Sequence, residues 1–356
     1  MSTYKFSEIC KVINGRAYNQ EELLQSGRYK VLRVGNFFSS DRWYYSDMEL
    51  SEDKYCNYGD LLFAWSASFG PKIWRGNKTI YHYHIWKLEV DDSLADKNYI
   101  YYWLLNSVNA LTAGVHGSVM AHMTKKEMEN QKISLPSIDV QQKVGSLLAL
   151  IDGKIRSNNN INRNLSEQCD AIYRDQFITK SHSSWTTGYL SDLITVKYGK
   201  DHKKLEDGDI PCYGSGGVMR YVERPIYDHE SVLIPRKGTL NNVMYVNVPF
   251  WSVDTMFYTV MKISNVAKFV YHYVKGKDLA SMNAGSAVPS MTVDILNAME
   301  LQIPSSTALA EFETIVQPLY KAMKDNEIEN KKLAELRDTL LPKLMSGELD
   351  VSDLDI

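Results

Sequence analysis

The chain has 356 residues, 44% of them hydrophobic, with 40 Lys and Arg against 43 Asp and Glu and a formal net charge of −3. This length supports two domains with connecting helices, and no run approaches the roughly 20 apolar residues of a membrane span. Near-neutrality argues against a broadly basic nucleic-acid binder, although a neutral half can still carry a basic face. It also holds locally: residues 1–140 carry 16 basic and 16 acidic residues, residues 186–304 carry 12 and 12, and the acid excess sits in residues 305–356 with 6 and 11.

From the N-terminus, Met1-Ser2-Thr3-Tyr4-Lys5 has no apolar signal core, and Ser7-Glu8-Ile9 opens a first globular unit expected over residues 1–136. Residues 29–34, 61–65 and 84–90 are rich in β-branched and aromatic types and read as strands, and residues 97–108 as a short helix. The unit closes on a strand ended by Pro136, and Asp139-Val140-Gln141-Gln142 reads as the capping box of a long helix within 137–180. A second unit, 186–304, opens in the same way with Ser191-Asp192-Leu193. Its predicted strands are 231–234, 243–248 and 257–263, and its short helix is 266–274. Gly214-Ser215-Gly216-Gly217 marks a loop where the backbone needs freedom or close approach to a ligand. The second unit ends at Pro304, and Thr307 is the expected cap of a second long helix within 305–350, followed by a tail, 351–356.

The chain repeats itself at a fixed interval. Gly117-Ser118, Met123-Thr124 and Pro136 return as Gly285-Ser286, Met291-Thr292 and Pro304, each 168 residues later. The offset continues without a gap through Ile155/Met323, Asn158/Asn326, Asn162/Asn330 and Leu165/Leu333. The fold class expected is therefore α/β (α+β), with two similar globular domains joined by two long antiparallel coiled-coil helices in an internal pseudo-two-fold repeat.

Both long helices carry a heptad seam. In the first it is Val144, Leu148, Ile151, Ile155, Asn158, Asn162, Leu165, Cys169 and Ile172, and in the second Phe312, Val316, Leu319, Met323, Asn326, Asn330, Leu333, Arg337 and Leu340. Steps of four and three wind two helices together. Each stripe needs a partner, and the other copy is the obvious one, which brings Asn158 and Asn162 near Asn326 and Asn330. Pro318 is expected to interrupt and kink the second helix.

Motifs for chemistry are sparse. Asn247-Val248-Pro249-Phe250 lacks the first proline of a methyltransferase base-flipping loop and reads as a strand-end turn. The glycine loop is followed by no Gly-Lys-Ser/Thr and is no P-loop. His82 and His84 alternate with Tyr81 and Tyr83 on a predicted strand, which puts both on one face, with no third metal ligand at readable spacing; His116 and His122 are no better as ligands. No catalytic residue, metal or cofactor is assigned. Cys10, Cys56, Cys169 and Cys212 show no C-x-x-C or zinc spacing and are expected as reduced thiols of a cytoplasmic protein. Two basic loops, Lys72-x-x-Arg75-Gly76 and Arg236-Lys237-Gly238-Thr239, follow predicted strands and are taken as counterparts in the two repeats.

These features resemble the specificity subunits of Type I restriction–modification enzymes. Ile151-Asp152-x-Lys154-Ile155-x-x-Asn158 and Asn162-x-x-Leu165 resemble the central spacer helix, and Lys332-Leu333-x-x-Leu336-Arg337-x-x-Leu340-Leu341-Pro342-Lys343-Leu344-Met345-Ser346-Gly347-Glu348-Leu349 resembles the closing helix. Gly59-Asp60-Leu61-Leu62-Phe63-Ala64-Trp65-Ser66, Tyr213-Gly214-Ser215-Gly216-Gly217 and Pro249-Phe250-Trp251-Ser252-Val253-Asp254-Thr255 resemble stretches of the target-recognition domains. His82-Tyr83-His84 departs from the Asn-Gln-His of many such domains. The resemblance covers essentially the whole chain. It implies a non-catalytic subunit in which each domain reads one half of an interrupted double-stranded DNA site in the major groove. It further implies that the helices, about 34 residues and roughly 50 Å long, act as a spacer ruler and dock two methyltransferase subunits, with two restriction subunits in the larger assembly. Adenine methylation and ATP-driven cleavage would belong to those partners. The alternatives are a coiled-coil scaffold and a stand-alone DNA methyltransferase. Candidate DNA contacts are Trp65, Ser66, Lys72, Arg75, His82 and His84 in the first domain and Tyr213, Ser215, Arg220, Arg236, Lys237 and Trp251 in the second, because Arg and Lys suit guanine edges while hydroxyls and aromatics complete contacts in a groove.

Overall fold

In a computed structural model the chain divides into two compact units, Met1–Asn158 with Ile328–Ile356, and Asn159–Glu327. The structure describes residues 1–38, 42–66, 68–113, 123–180, 185–282 and 290–351. Gly117-Ser118, Gly285-Ser286, His116 and His122 lie outside the described residues.

The first unit runs β1 (Ser2–Lys5), α1 (Phe6–Ile9), β2 (Cys10–Asn14), β3 (Tyr29–Leu32), α2 (Val34–Phe38), β4 (Tyr44–Ser46), β5 (Tyr55–Cys56), β6 (Leu61–Ser66), β7 (Ser68–Ile73), β8 (Thr79–Tyr81), β9 (Ile85–Val90), α3 (Lys97–Ala113), α4 (Lys125–Glu129), β10 (Lys132–Leu135) and the start of α5 (Ile138–Arg174). Its strands form a sheet in the order β2-β9-β6-β7, a second in the order β4-β3-β8-β5, and the pair β1-β10. Strand β6 explains why Leu61–Ala64 is apolar without alternation. Leu61 and Phe63 enter one core with Trp86 and Tyr99, while Leu62 and Ala64 enter another with Leu32, Phe37 and Tyr81, so both faces are buried.

The second unit repeats this with β11 (Thr186–Tyr189), α6 (Leu190–Leu193), β12 (Ile194–Tyr198), β13 (Ile210–Gly214), β14 (Gly217–Val222), β15 (Ser231–Pro235), β16 (Met244–Val246), β17 (Trp251–Ser252), β18 (Met256–Met261), α7 (Ala267–Lys275), α8 (Val293–Asn297), β19 (Glu300–Ile303) and α9 (Ser306–Ser346). Its sheets are β12-β18-β15-β16, β14-β13-β17 and β11-β19. Strand β15 is again buried on both faces, with Val232 and Ile234 in one core and Leu233 in another.

The repeated Met-Thr pair now has a cause. Met123 and Met291 are each 1% exposed. Thr124 and Thr292 cap α4 and α8, their hydroxyls accepting from the amides of Glu127 (3.2 Å) and Ile295 (3.3 Å). The entry turns match as well: the Lys5 amide donates to Glu8 at 2.6 Å and the Tyr189 amide to Asp192 at 2.7 Å.

Helices α5 and α9 pair antiparallel. In the first unit Asn158 Nδ2 donates to Asn330 Oδ1 (3.0 Å) and Glu329 Oε2 (2.7 Å), and Arg337 Nη1 donates to Asp152 (2.8 Å), which also accepts from the Tyr102 hydroxyl (2.7 Å). In the second unit Asn326 Nδ2 donates to Asn162 Oδ1 (2.8 Å), and Asn162 Nδ2 to the Met323 carbonyl (3.0 Å). No residue of either heptad seam is exposed.

Three expectations are corrected. Pro318 does not interrupt α9, which continues from Ser306 to Ser346; a proline removes one amide donor, and the flanking turns carry the helix across it. The start of α5 is not held by an Asp139–Gln142 box. Gln141 is buried instead, its amide nitrogen donating to the Leu94 and Pro136 carbonyls while its oxygen accepts from the Asp96 amide, so it ties the helix to the domain. The cap of α9 is Ser305, whose hydroxyl accepts from the Ala308 amide at 3.2 Å, rather than Thr307.

Gly15 and Gly199 occupy matching places at the ends of β2 and β12. A Cβ there would meet the His82 carbonyl oxygen at 2.4 Å and the Val253 carbonyl oxygen at 2.0 Å. Both obstacles are backbone, so Gly199→Ala should destabilise the second unit by about 3 kcal/mol, whereas Gly216→Ala, with nothing within 4 Å, should change stability by under about 0.5 kcal/mol. Urea unfolding of the two variants checks this, and equal midpoints would contradict it.

Candidate nucleic-acid interface

The glycine approach belongs to a hydrogen-bonded frame that is the same in both units. In the first, Arg16 N donates to Tyr81 O (3.1 Å), His82 N to Leu32 O (2.9 Å), Ile85 N to His82 O (2.9 Å), Trp65 N to His84 O (3.1 Å) and Met123 N to Trp65 O (3.3 Å). In the second, Lys200 N donates to Ser252 O (2.8 Å), Val253 N to Tyr213 O (3.0 Å), Met256 N to Val253 O (2.9 Å), Arg236 N to Thr255 O (2.9 Å) and Met291 N to Arg236 O (2.9 Å). Residue pairs follow directly: Arg16 matches Lys200, Leu32 matches Tyr213, Trp65 matches Arg236, and His82 and His84 match Val253 and Thr255. The ends of β3, β6 and β8 therefore make one rim, and the ends of β13, β15 and β17 make its counterpart.

This frame corrects the pairing of basic loops. The counterpart of Arg236 is Trp65, not Lys72. The β6–β7 hairpin is tight, with Ser66 opposite Ser68, so Lys72 falls on strand β7 opposite Leu62. There its ammonium donates to the Phe37 carbonyl, sits 5.2 Å from the Phe37 ring, and is pushed below its ordinary pKa by burial. Arg75 lies beyond the far end of β7, 5.4 Å over Tyr58. Neither shares the rim with Trp65. Ser66 is 1% exposed and Trp251 is 7% exposed, the latter donating from Nε1 to the Lys200 carbonyl (3.0 Å). Both belong to the interior, because the strands that carry them pack on two sides. Arg220 is drawn back to the Leu205 carbonyl (2.9 Å) and Asp207 (2.7 Å).

On the first rim the structure brings together Trp65, His82 and His84. His82 and His84 sit in the turn between β8 and β9 rather than alternating along a strand. Their rings are 4.8 Å apart, Trp65 meets His84 edge-on at 5.2 Å, and Trp65 Nε1 donates to the Tyr83 carbonyl (2.8 Å). With Arg33, Asn36, Arg42 and Tyr44, the two histidines line a cavity of about 420 Å³. The sequence reading missed Arg33, Asn36, Arg42 and Tyr44 because it carried strand β3 through Val34; the strand ends at Leu32, which matches Tyr213 just before the glycine loop. On the second rim Ser215, Arg236 and Lys237 come together. A Cβ on Gly238 would meet Ser215 Oγ at 2.7 Å, Asn242 Nδ2 donates to the Ser215 carbonyl (2.8 Å), and the Arg236 guanidinium lies 5.3 Å over Tyr198. Tyr213 is half-buried beside them on β13.

Among the described residues no cluster of three or more His, Cys, Asp and Glu could hold a metal ion. The four cysteines are free and buried, and burial pushes the thiols of Cys10 and Cys169 up to about 12 and about 11. Among the same residues no helix is long and apolar enough to cross a membrane.

A doubled backbone frame with unlike side chains on its two rims defines a class: a protein with two related recognition units joined by paired helices. The profile of the Type I restriction modification DNA specificity domain matches residues 1–167 and again 182–338. The chain belongs to this family. It is 22% identical to the Type I restriction enzyme MjaIX specificity subunit of Methanocaldococcus jannaschii, over 67% of this chain and 65% of that protein, and so spans just under two thirds of that relative. It is 29% identical to the MjaVIII specificity subunit of the same organism, over 84% and 81%. The crystal structure of a Type I restriction–modification S subunit from M. genitalium shares the fold with a TM-score of 0.64 at 17% identity, covering 96% of this chain and 95% of that one.

Burial first, then His84 and Arg33, holds the His82 imidazole down at about 4 against an ordinary value of 6.5. Burial likewise holds His272 of the second unit at about 4, against the opposing pull of Asp170 at 2.7 Å. Each is harder to protonate folded than unfolded, so stability is full above about 6.5 and falls as the pH drops towards 4. NMR titration of the His82 ring should show a midpoint near 4, and His82→Gln should flatten part of the stability loss between those pH values. A midpoint near 6.5 would contradict the burial.

Proposed function

We propose that residues 1–136 and 186–304 are the two target-recognition domains of a Type I specificity subunit, each reading one half of an interrupted double-stranded DNA site in the major groove. The helical segments 137–180 and 305–350 are the spacer, and residues 351–356 a tail. The chain is non-catalytic and works in the cytoplasm. Its helices dock two methyltransferase subunits, and two restriction subunits join the full complex; adenine methylation and ATP-driven cleavage reside in those partners.

The observation that carries this reading is the pair of rims. Eight backbone positions are held by the same five hydrogen bonds in both units, yet the side chains they present differ: Trp65 against Arg236, His82 against Val253, His84 against Thr255. A constant frame with divergent rim chemistry suits two readers of different sequences, because base edges are told apart by side-chain donors and acceptors. Near-neutral units fit a subunit whose partners supply many of the phosphate contacts that give affinity. On the second rim Arg236 and Lys237 remain the leading contacts, with Ser215 and Tyr213 beside them.

Sequencing of genomic adenine methylation tests this. Removing the gene should abolish methylation at one two-part motif, and exchanging residues 1–136 for those of another family member should change one half of the motif and keep the other. A motif untouched by loss of the chain would refute the reading.

A further inference from the structure

We infer that Arg33 and Arg42, mounted on Tyr44 beside His82, form a donor-rich pocket that reads a guanine edge in the half-site contacted by the first unit. The inference rests on the reading of this unit as a DNA-recognition domain and goes beyond it to a base and to named side chains.

The guanidinium carbons of Arg33 and Arg42 lie 5.3 Å and 5.6 Å from the centroid of the same ring, Tyr44. An arginine held over an aromatic face is pre-oriented, so less freedom is lost when its planar fork meets two acceptors. Asn36 fixes the loop that carries both: its Oδ1 accepts from the Arg33 amide (3.3 Å) and its Nδ2 donates to the Arg42 carbonyl (2.8 Å). Asn36 is thus a positioning residue. His82 Nδ1 accepts from the His84 amide at 3.4 Å, which leaves the proton of the neutral ring on Nε2 as a further donor. The suppressed basicity of His82 keeps that ring neutral near pH 7. Among the described residues that line the cavity none is a carboxylate.

A pocket that offers donors selects a base edge made of acceptors. In the major groove guanine presents O6 and N7 together, whereas cytosine presents a donor and adenine one of each. The matching places on the second rim carry no such donors, with Gly214, Val253 and Thr255 where the first has Arg33, His82 and His84. The two half-sites should therefore differ at this position.

The test uses the complete complex of this chain with its methyltransferase subunits. Arg33→Ala should lower discrimination at one guanine of one half-site about tenfold or more, with the other half-site unchanged in the methylation map and the thermal midpoint kept. Arg33→Lys should fail to restore it, because a point charge cannot make the paired contact. Arg42→Ala should relax the same position. In binding assays, 7-deazaguanine at that position should weaken the wild-type complex and leave the Arg33→Ala complex indifferent. An even loss at all sequences that Lys restores would mean a phosphate contact and overturn the inference, as would an unchanged motif. Either result leaves the recognition-domain reading intact; that reading fails separately, if the wild-type complex methylates no two-part motif.

Discussion

Two asparagine amide pairs, Asn158 with Asn330 and Asn162 with Asn326, set the register on which the duplicated design depends. One pair lies in each unit. Apolar seam residues alone would allow the helices to slide by a turn, since Leu and Ile contacts are non-directional. An amide placed in an apolar seam tolerates only the register in which another amide meets it. The cost is real: Asn158 is fully buried, and its Oδ1 has no hydrogen-bond partner among the described residues, a defect of about 1–3 kcal/mol. The Arg337–Asp152–Tyr102 chain acts in the same direction, since a slipped helix would leave a half-buried charge without its partner.

Register matters because each long helix begins as the continuation of one unit's small sheet and ends packed in the core of the other. Val144 and Leu148 share a core with Leu341 and Leu344 in the first unit, and Cys169 and Tyr173 share one with Phe312 and Val316 in the second. Tyr102 on α3 reaches α5, and His272 on α7 reaches both Asp170 on α5 and Tyr320 on α9 at 3.0 Å. The recognition rims are thus built on frames whose orientation is tied to the helices within each unit.

Much of this was legible in the chain itself, for physical reasons that differ by element. Residues 61–65 and 231–234 read as strands from their β-branched and aromatic content, and burial on both faces explains why Leu61–Ala64 and Val232–Ile234 show no alternation. The heptad steps announced the seam, whereas Met-Thr marked only the repeat, and the structure supplies its cause in a buried side chain followed by a helix cap. Site residues were harder. Lys72 and Arg236 looked equivalent because each follows a strand motif, but β6 pairs directly with β7, Ser66 opposite Ser68, and Lys72 lands on that next strand. Trp251 and Ser66 are residue types equally at home in a core and in a groove, and only the packing on both sides decides. Arg33, Asn36, Arg42 and Tyr44 are separated by a short helix that no periodicity foretold, and their convergence is a property of the fold.

On the proposed reading this register spaces two readers along DNA. Inserting one heptad into α5 between Asn158 and Asn162, and a matching heptad into α9 between Asn326 and Asn330, preserves the seam and lengthens each helix by about 10 Å. The methylation map of the complex should then show the same two half-sites with the unread gap longer by about three base pairs, at about 3.4 Å each. An unchanged gap in a folded, active complex would contradict the claim.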